Sequence, residues 1–173
     1  MTSNQTTSED SSFTITPATS SEDIRAIHAL FIAYTDSLNL DLSFQSLQDE
    51  LATLPGKYGP PTGTLLLALL TSSGEAIGCV ALRPLAEEGV CEMKRLYVAP
   101  AAQGTGLGKA LAKAVIAEGR RLGHRAMRLD TLPSMRAARG LYARLGFREC
   151  ERYYETPLEG TVFMELDLRR TDD

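Results

Sequence analysis

Apolar and polar positions change period along this chain, and each change marks a different element. Ile24, Ile27, Phe31, Tyr34 and Leu38 recur at helical spacing, the signature of one buried helix face. Ser20 and Asp23 stand ahead of them as a capping-box-like start, with Asp where Glu or Gln is usual. Phe44 to Leu54 predicts a second helix, closed by Pro55-Gly56, and Pro60-Pro61-Thr62-Gly63 is turn chemistry. Thr64 to Leu70 and Ala76 to Leu82 are continuous apolar runs of strand length, joined through a hairpin-like Thr71-Ser72-Ser73-Gly74. Cys91 to Val98 predicts another strand, ended by Pro100. Leu107, Leu111, Ala114, Val115 and Leu122 then mark a helix, and Arg125 to Thr131 a strand. Met135, Ala138, Leu141, Tyr142 and Leu145 share a helical face, with Gly146 placed to cap it. Val162, Met164, Leu166 and Leu168 alternate with polar residues as a closing strand. Phe13 to Thr16 suits a short opening strand behind a Ser- and Thr-rich flexible tail over residues 1–12. Strand–helix–strand–helix–strand after a hairpin predicts a mixed sheet with helices on both faces, in one domain.

Composition narrows the function. The 18 basic and 22 acidic residues leave a net charge of −4, which argues against a nucleic-acid binder. No apolar run has membrane-spanning length, and the N-terminus lacks the basic and apolar regions of a signal peptide. Cys79, Cys91 and Cys150 are scattered, which suits a reducing, cytoplasmic setting better than a disulfide framework. His28 and His124 lie far apart, so a zinc site or histidine triad has little to stand on, and no metal is expected.

The chemistry centres on Gln103-Gly104-Thr105-Gly106-Leu107-Gly108-Lys109, between a strand and a helix. Glycines on alternate positions let backbone approach a ligand, and free N–H groups at a helix start cradle phosphate oxygens. A P-loop would need glycine where Gln103 stands and Ser or Thr where Ala110 stands. A dinucleotide fingerprint would need glycine at Lys109 or Leu111. Both readings fail, and a nucleotide-binding domain is disfavoured.

The remaining pattern, Gln-x-x-Gly-x-Gly, resembles the pyrophosphate loop of the GNAT acyl-CoA N-acyltransferases. Leu96-Tyr97-Val98-Ala99-Pro100 before it and Ala138-x-x-Leu141-Tyr142-x-x-x-Gly146-Phe147 after it match the family in order and separation. The resemblance spans about residues 13–168, leaving a C-terminal tail over 169–173, and extends to uncharacterised microbial members with Cys-Glu-Met-Lys-Arg-Leu-Tyr-Val and Leu-Asp-Thr-Leu. It implies an α+β fold with a mostly antiparallel sheet, and transfer of acetyl from acetyl-CoA to an amine. Gln103 departs from the commoner Arg, and Met135 stands where many relatives have Asn.

What the resemblance implies is a split between the strands Glu92–Val98 and Arg125–Thr131. The pantetheine arm would run there against backbone of Leu96, Tyr97 and Val98, near Met135 and Ala138. The pyrophosphate would sit on the amides from Gln103 through Gly104, Thr105, Gly106, Leu107 and Gly108 to Lys109. Lys109, Arg136 and Arg139 either meet the phosphates or form a solvated basic face. Tyr142 matches the family's tyrosine that protonates the departing sulfur, with a core aromatic as the alternative, and the N–H of Leu96 would polarise the carbonyl. Glu92 is the general-base candidate, acting through water, because some family branches carry one here. Strict alternation also places Glu92 and Lys94 on the face of Leu96 and Val98, and two charges in an interior strand break local rules. Alternatively, the two charges merely pair. Acceptor contacts are expected from Phe31, Tyr34, Phe44, Tyr58, Tyr153 and Tyr154, with Lys94 or Arg95 meeting an acidic group on a small amine. A protein or peptide acceptor, or a non-catalytic acyl-CoA sensor, are the other readings. The chain is expected to be a monomer or homodimer.

Overall fold

The computed structural model describes residues 12–41 and 46–171. The tail expected over residues 1–12, Ser12 apart, and Phe44 at the start of the second predicted helix lie outside them. The strands are β1 (Phe13–Pro17), β2 (Thr64–Leu70), β3 (Ala76–Pro84), β4 (Val90–Val98), β5 (Ala126–Thr131), β6 (Arg148–Glu149) and β7 (Val162–Asp167). The helices are α1 (Ser21–Leu38), α2 (Leu47–Thr53), α3 (Leu107–Arg121) and α4 (Arg136–Arg144). One mixed sheet runs β1-β2-β3-β4-β5-β7-β6, and every pairing is antiparallel except β4 with β5. The capping box of α1 forms as expected, with Asp23 N–H donating to Ser20 Oγ at 3.1 Å and Ser20 N–H to Asp23 Oδ2 at 3.0 Å.

The unbroken apolar run of β2 has a simple cause: both faces of the sheet are covered. Leu66 and Ala68 face a core shared with Leu107, Leu111 and Val115 of α3. Leu65 and Leu67 face a second core with Ile27, Leu30 and Phe31 of α1 and with Tyr58. Period-two alternation thus splits one strand between two cores, and no polar face is left to give an alternating pattern.

Two features position the site. First, β4 pairs with β5 only from Val90 to Glu92, against Ala126 to Arg128; beyond that the strands part. Second, the β3–β4 register steps from Cys79↔Tyr97 to Ala81↔Lys94, so β4 holds one residue more than β3 there. That bulge falls at Arg95, whose φ is 57°.

Phe31, expected to touch the acceptor, is fully buried and packs edge to face on Tyr58 with centroids 6.0 Å apart. Both are core residues: Phe31 on α1 and Tyr58 in the turn before β2 pack with Ile27, Leu30 and Leu67 on this side of the sheet. Phe31→Ala is expected to lower the unfolding free energy by about 3–5 kcal/mol. A chemical denaturation curve with an unshifted midpoint would take Phe31 out of the core.

Candidate active site

Where β4 and β5 part, a cleft opens between them. Met93, Lys94, Arg95 and Leu96 line it from β4, and Leu129, Asp130 and Thr131 from β5. Tyr34 and Leu38 of α1, Leu132 and Met135 before α4, Tyr142 of α4 and Leu158 complete it. Of the expected site residues, Tyr34, Lys94, Arg95, Leu96, Met135 and Tyr142 therefore meet here. Past Glu92, β4 has no strand partner on this side among the described residues, so its backbone groups are open to an extended ligand.

The bulge overturns the expected alternation. Met93 pairs with Leu82 and faces the α3 core, as Leu96 and Val98 do beyond the extra residue. Lys94 pairs with Ala81, and Tyr97 with Cys79, both of which belong to the α1 core. Glu92 and Lys94 thus lie on the α1 face, opposite Leu96 and Val98, because one inserted residue exchanges the faces of everything after it. On β5, Met127 and Leu129 face the α3 core, so alternation puts Arg128 and Asp130 on the α1 face with Glu92 and Lys94. The cleft has one charged face and one apolar face.

Arg95 is held in its left-handed conformation from two directions. Its guanidinium donates from Nε to Glu50 Oε1 at 3.1 Å and from Nη2 to Glu50 Oε2 at 3.2 Å. Its carbonyl accepts from the Cys79 thiol at 3.4 Å. The Arg95 guanidinium is thus ion-paired with Glu50 in the wall of the cleft.

Glu92 is fully buried, does not line the cleft, and has both oxygens engaged. Oε1 accepts from Arg83 Nε at 2.9 Å and lies 3.6 Å from Lys94 Nζ; Oε2 accepts from Tyr153 at 2.5 Å. Burial raises its pKa, but Lys94 and Arg83 outweigh it and the net shift is downward. A carboxylate so held is a fixed counter-ion and a weak base. Sequence reading missed Arg83, which is separated from Glu92 by a turn and recognisable only once β3 and β4 are paired.

Tyr142 is buried and meets Phe147 edge to face at 5.8 Å. Its hydroxyl has no hydrogen-bond partner among the described residues. Burial, then Tyr34 and Asp130, push the phenol well above its ordinary pKa, so it keeps its proton at neutral pH. Tyr153 and Tyr154, expected to touch substrate, spend their hydroxyls on Glu92 and Asp130.

At the far end of β4, a turn at Pro100–Ala102 leads into the glycine loop. Gly104 and Gly106 have φ of 78° and 85°, and a Cβ built on either would meet nothing within 4 Å. The Thr105 hydroxyl donates to Ala102 O at 2.6 Å and braces the loop. The amides from Gly104 to Lys109 take no acceptor among the described residues, whereas Ala110 N–H resumes the helix on Gly106 O at 3.1 Å. Gly108 lies over the end of β4, where an added Cβ would sit 3.8 Å from Val98 Cγ2. Lys109 and Arg136 are exposed, while Arg139 pairs with Glu149 at 3.6 Å. This run of donors at a helix start fits a pyrophosphate. Among the described residues no three His, Cys, Asp or Glu side chains gather as a metal site, and no helix is long and apolar enough to cross a membrane.

Comparison with known proteins agrees with this geometry. The profile of the Acetyltransferase (GNAT) family matches residues 25–147. An uncharacterised N-acetyltransferase of Schizosaccharomyces pombe is 41% identical, over 86% of this chain and 91% of that protein. The crystal structure of a putative acyl-CoA N-acyltransferase from Klebsiella pneumoniae superposes with a TM-score of 0.66 at 35% identity, covering 92% of this chain and 99% of the other. The N-acetylaspartate synthetase of Danio rerio is 29% identical over 70% of this chain and 43% of that protein.

Removing the Glu92 charge leaves Arg83 and Lys94 without their carboxylate. Glu92→Gln is expected to destabilise the fold by on the order of 3 kcal/mol at neutral pH. The folded pKa lies below the unfolded one, so this contribution is complete above the ordinary carboxylate value of about 4.3 and is lost as pH falls through the folded pKa. Thermal unfolding of both proteins should show the gap narrowing below about pH 4; a gap constant with pH would show that charge is not its source.

Proposed function

Because the chain belongs to the GNAT family of acetyltransferases, and is on that ground an acyltransferase, we propose that it moves an acetyl group directly from acetyl-CoA to the amine of a small molecule bearing an acidic group. The observation that carries this reading is the parting of β4 from β5, with the open edge of β4 running into the unpartnered amides of the glycine loop. An extended pantetheine arm suits that edge, and the pyrophosphate suits the amides of Gly104 to Lys109. Lys109 and Arg136 stand free nearby to meet phosphate charge among the described residues.

Three tasks fall to the protein. The Leu96 N–H, in the bulge, polarises the thioester oxygen. Tyr142, kept protonated by burial, hands its proton to the departing sulfur and regains one from the nitrogen, so that a buried phenolate need not persist. The proton an ammonium must lose before attack goes to water in the cleft, since Glu92 has no oxygen to spare.

The acidic group on the acceptor follows from counting charges. Arg83 and Lys94 share the single carboxylate of Glu92, and it is Lys94 that lines the cleft. One positive charge is left over on that wall, and an acidic group satisfies it. The Danio rerio relative carries an acetylated acidic amino acid in its name, which supports the same class.

Purified protein given acetyl-CoA and a deproteinised cell extract should yield an acetylated, acid-bearing metabolite detectable by mass. Tyr142→Phe should slow its formation about a hundredfold with acetyl-CoA affinity unchanged; undiminished turnover would remove Tyr142 from the mechanism. Lys94→Ala should erase the preference for acidic over neutral amines of the same chain length, and equal losses for both would sink the acidic-acceptor assignment.

A further inference from the structure

The connection between β6 and β7 sends two adjacent tyrosines to the two strands that part. Tyr153 reaches Glu92 on β4, and Tyr154 donates to Asp130 Oδ2 on β5 at 2.7 Å. Their rings meet edge to face at 5.5 Å, and both rest on Phe163, at 5.1 and 5.2 Å. Phe163 is the cross-strand partner of Asp130, so carboxylate and aromatic support are built on one strand pair.

Asp130 differs from Glu92 in every respect that matters. It lines the cleft, with Lys94 on the opposite strand and Tyr142 of α4, and is the one acidic side chain to do so among the described residues. Tyr154 is its one hydrogen-bond partner and no cation pairs with it among the described residues. A half-buried carboxylate held at one oxygen, in the wall of a ligand cleft and without a counter-ion, is complete only when a cation arrives. Most amines are ammonium ions at neutral pH.

We propose that Asp130, fixed by Tyr154, seats the ammonium group of the acceptor, so that together with Lys94 across the cleft the site takes a dipolar acceptor of the amino-acid class. This deepens the acetyltransferase reading and rests on it. Asp130 binds substrate and Tyr154 positions it. The ammonium gives one proton to water, the amine nitrogen bonds to the acetyl carbon as the carbon–sulfur bond breaks, and the second nitrogen proton reaches sulfur by way of Tyr142. The products are an N-acetylated amino acid and the free thiol.

The test uses the whole chain with acetyl-CoA, the common α-amino acids, β-alanine, and 3-aminopropan-1-ol, which is β-alanine with a hydroxyl in place of the acid. Release of free thiol is followed for the wild type, Asp130→Asn and Tyr154→Phe, and acetyl-CoA binding is read by its shift of the melting temperature. The wild type should acetylate at least one amino acid, and any activity on β-alanine should exceed that on 3-aminopropan-1-ol. Asp130→Asn should raise KM for the accepted amino acid about tenfold to a hundredfold, with the acetyl-CoA shift intact. Tyr154→Phe should move the same KM in the same direction by less. A merely structural role would lower kcat and melting temperature and leave the amine KM alone, and that result overturns the proposal. An acetyl-CoA shift with no amino acid acetylated also overturns it and spares the acetyl-CoA reading, whereas no acetyl-CoA shift at all defeats that reading itself.

Discussion

One extra residue in β4, at Arg95, sets the geometry of the β4 wall of the cleft. A non-glycine residue in the left-handed region costs about 1–2 kcal/mol, and a buried guanidinium costs more unless it is paired. Glu50 on α2 supplies the pairing with two hydrogen bonds, and the Cys79 thiol engages the Arg95 carbonyl. What this holds in place is an exchange of faces. Met93 before the bulge and Leu96 after it both face the α3 core, while Lys94 and Tyr97 both face α1. With no extra residue, Leu96 and Val98 would share the face of the charges.

The exchange gives the cleft two chemically different sides. Toward α3 and α4 lie open backbone, apolar side chains and the free amides of the glycine loop, which suit a long flexible ligand ending in phosphates. Toward α1 lie Lys94 and Asp130 with their supports. In the proposed reaction the two substrates therefore enter surroundings that do not compete for them. The charged side is costly to build, since an ionised group away from water must be matched. Glu92 is matched three times over, by Arg83, Lys94 and Tyr153, and this is what makes it a poor proton acceptor and a good anchor for Lys94.

The long periodic elements were legible because helix and strand periods survive whichever core they face. The α1 stripe, the apolar runs of β2 and β3, the glycine loop and the α4 face stand where the pattern put them. Depth along a face was not legible: Phe31 and Tyr34 lie within one turn of α1, yet one is sealed in the core and the other lines the cleft. The bulge left no local mark, since Arg is not a residue that announces positive φ. Without it, alternation assigned Glu92 to the wrong face. Of the partners of Glu92, Lys94 was legible two residues away, whereas Arg83 and Tyr153, 9 and 61 positions away, are set by tertiary pairing. The two-residue β6 is too short to carry a period. Asp130 did carry a readable signal, a carboxylate in the middle of a strand whose Met127 and Leu129 face the core, the same broken rule that drew attention to Glu92.

In the proposed reaction, the two tyrosines of the β6–β7 connection tie selectivity to the shape of the cleft. Each holds a carboxylate on a different strand, Glu92 on β4 and Asp130 on β5, so the two contacts bridge the strands at their parting. A neutral amine would leave Lys94 in excess, and an acid without an amine would face Asp130 directly. Either mismatch leaves a partly buried charge unpaired, a penalty of about 1–3 kcal/mol or more that a difference of one methylene in an apolar pocket does not exceed. Discrimination by unmatched charge needs walls that stay put, because a mobile side chain would turn away from the wrong ligand and lose the penalty. The hydroxyl of Tyr154 on Asp130 and the Glu92 carboxylate beside Lys94 supply that fixity.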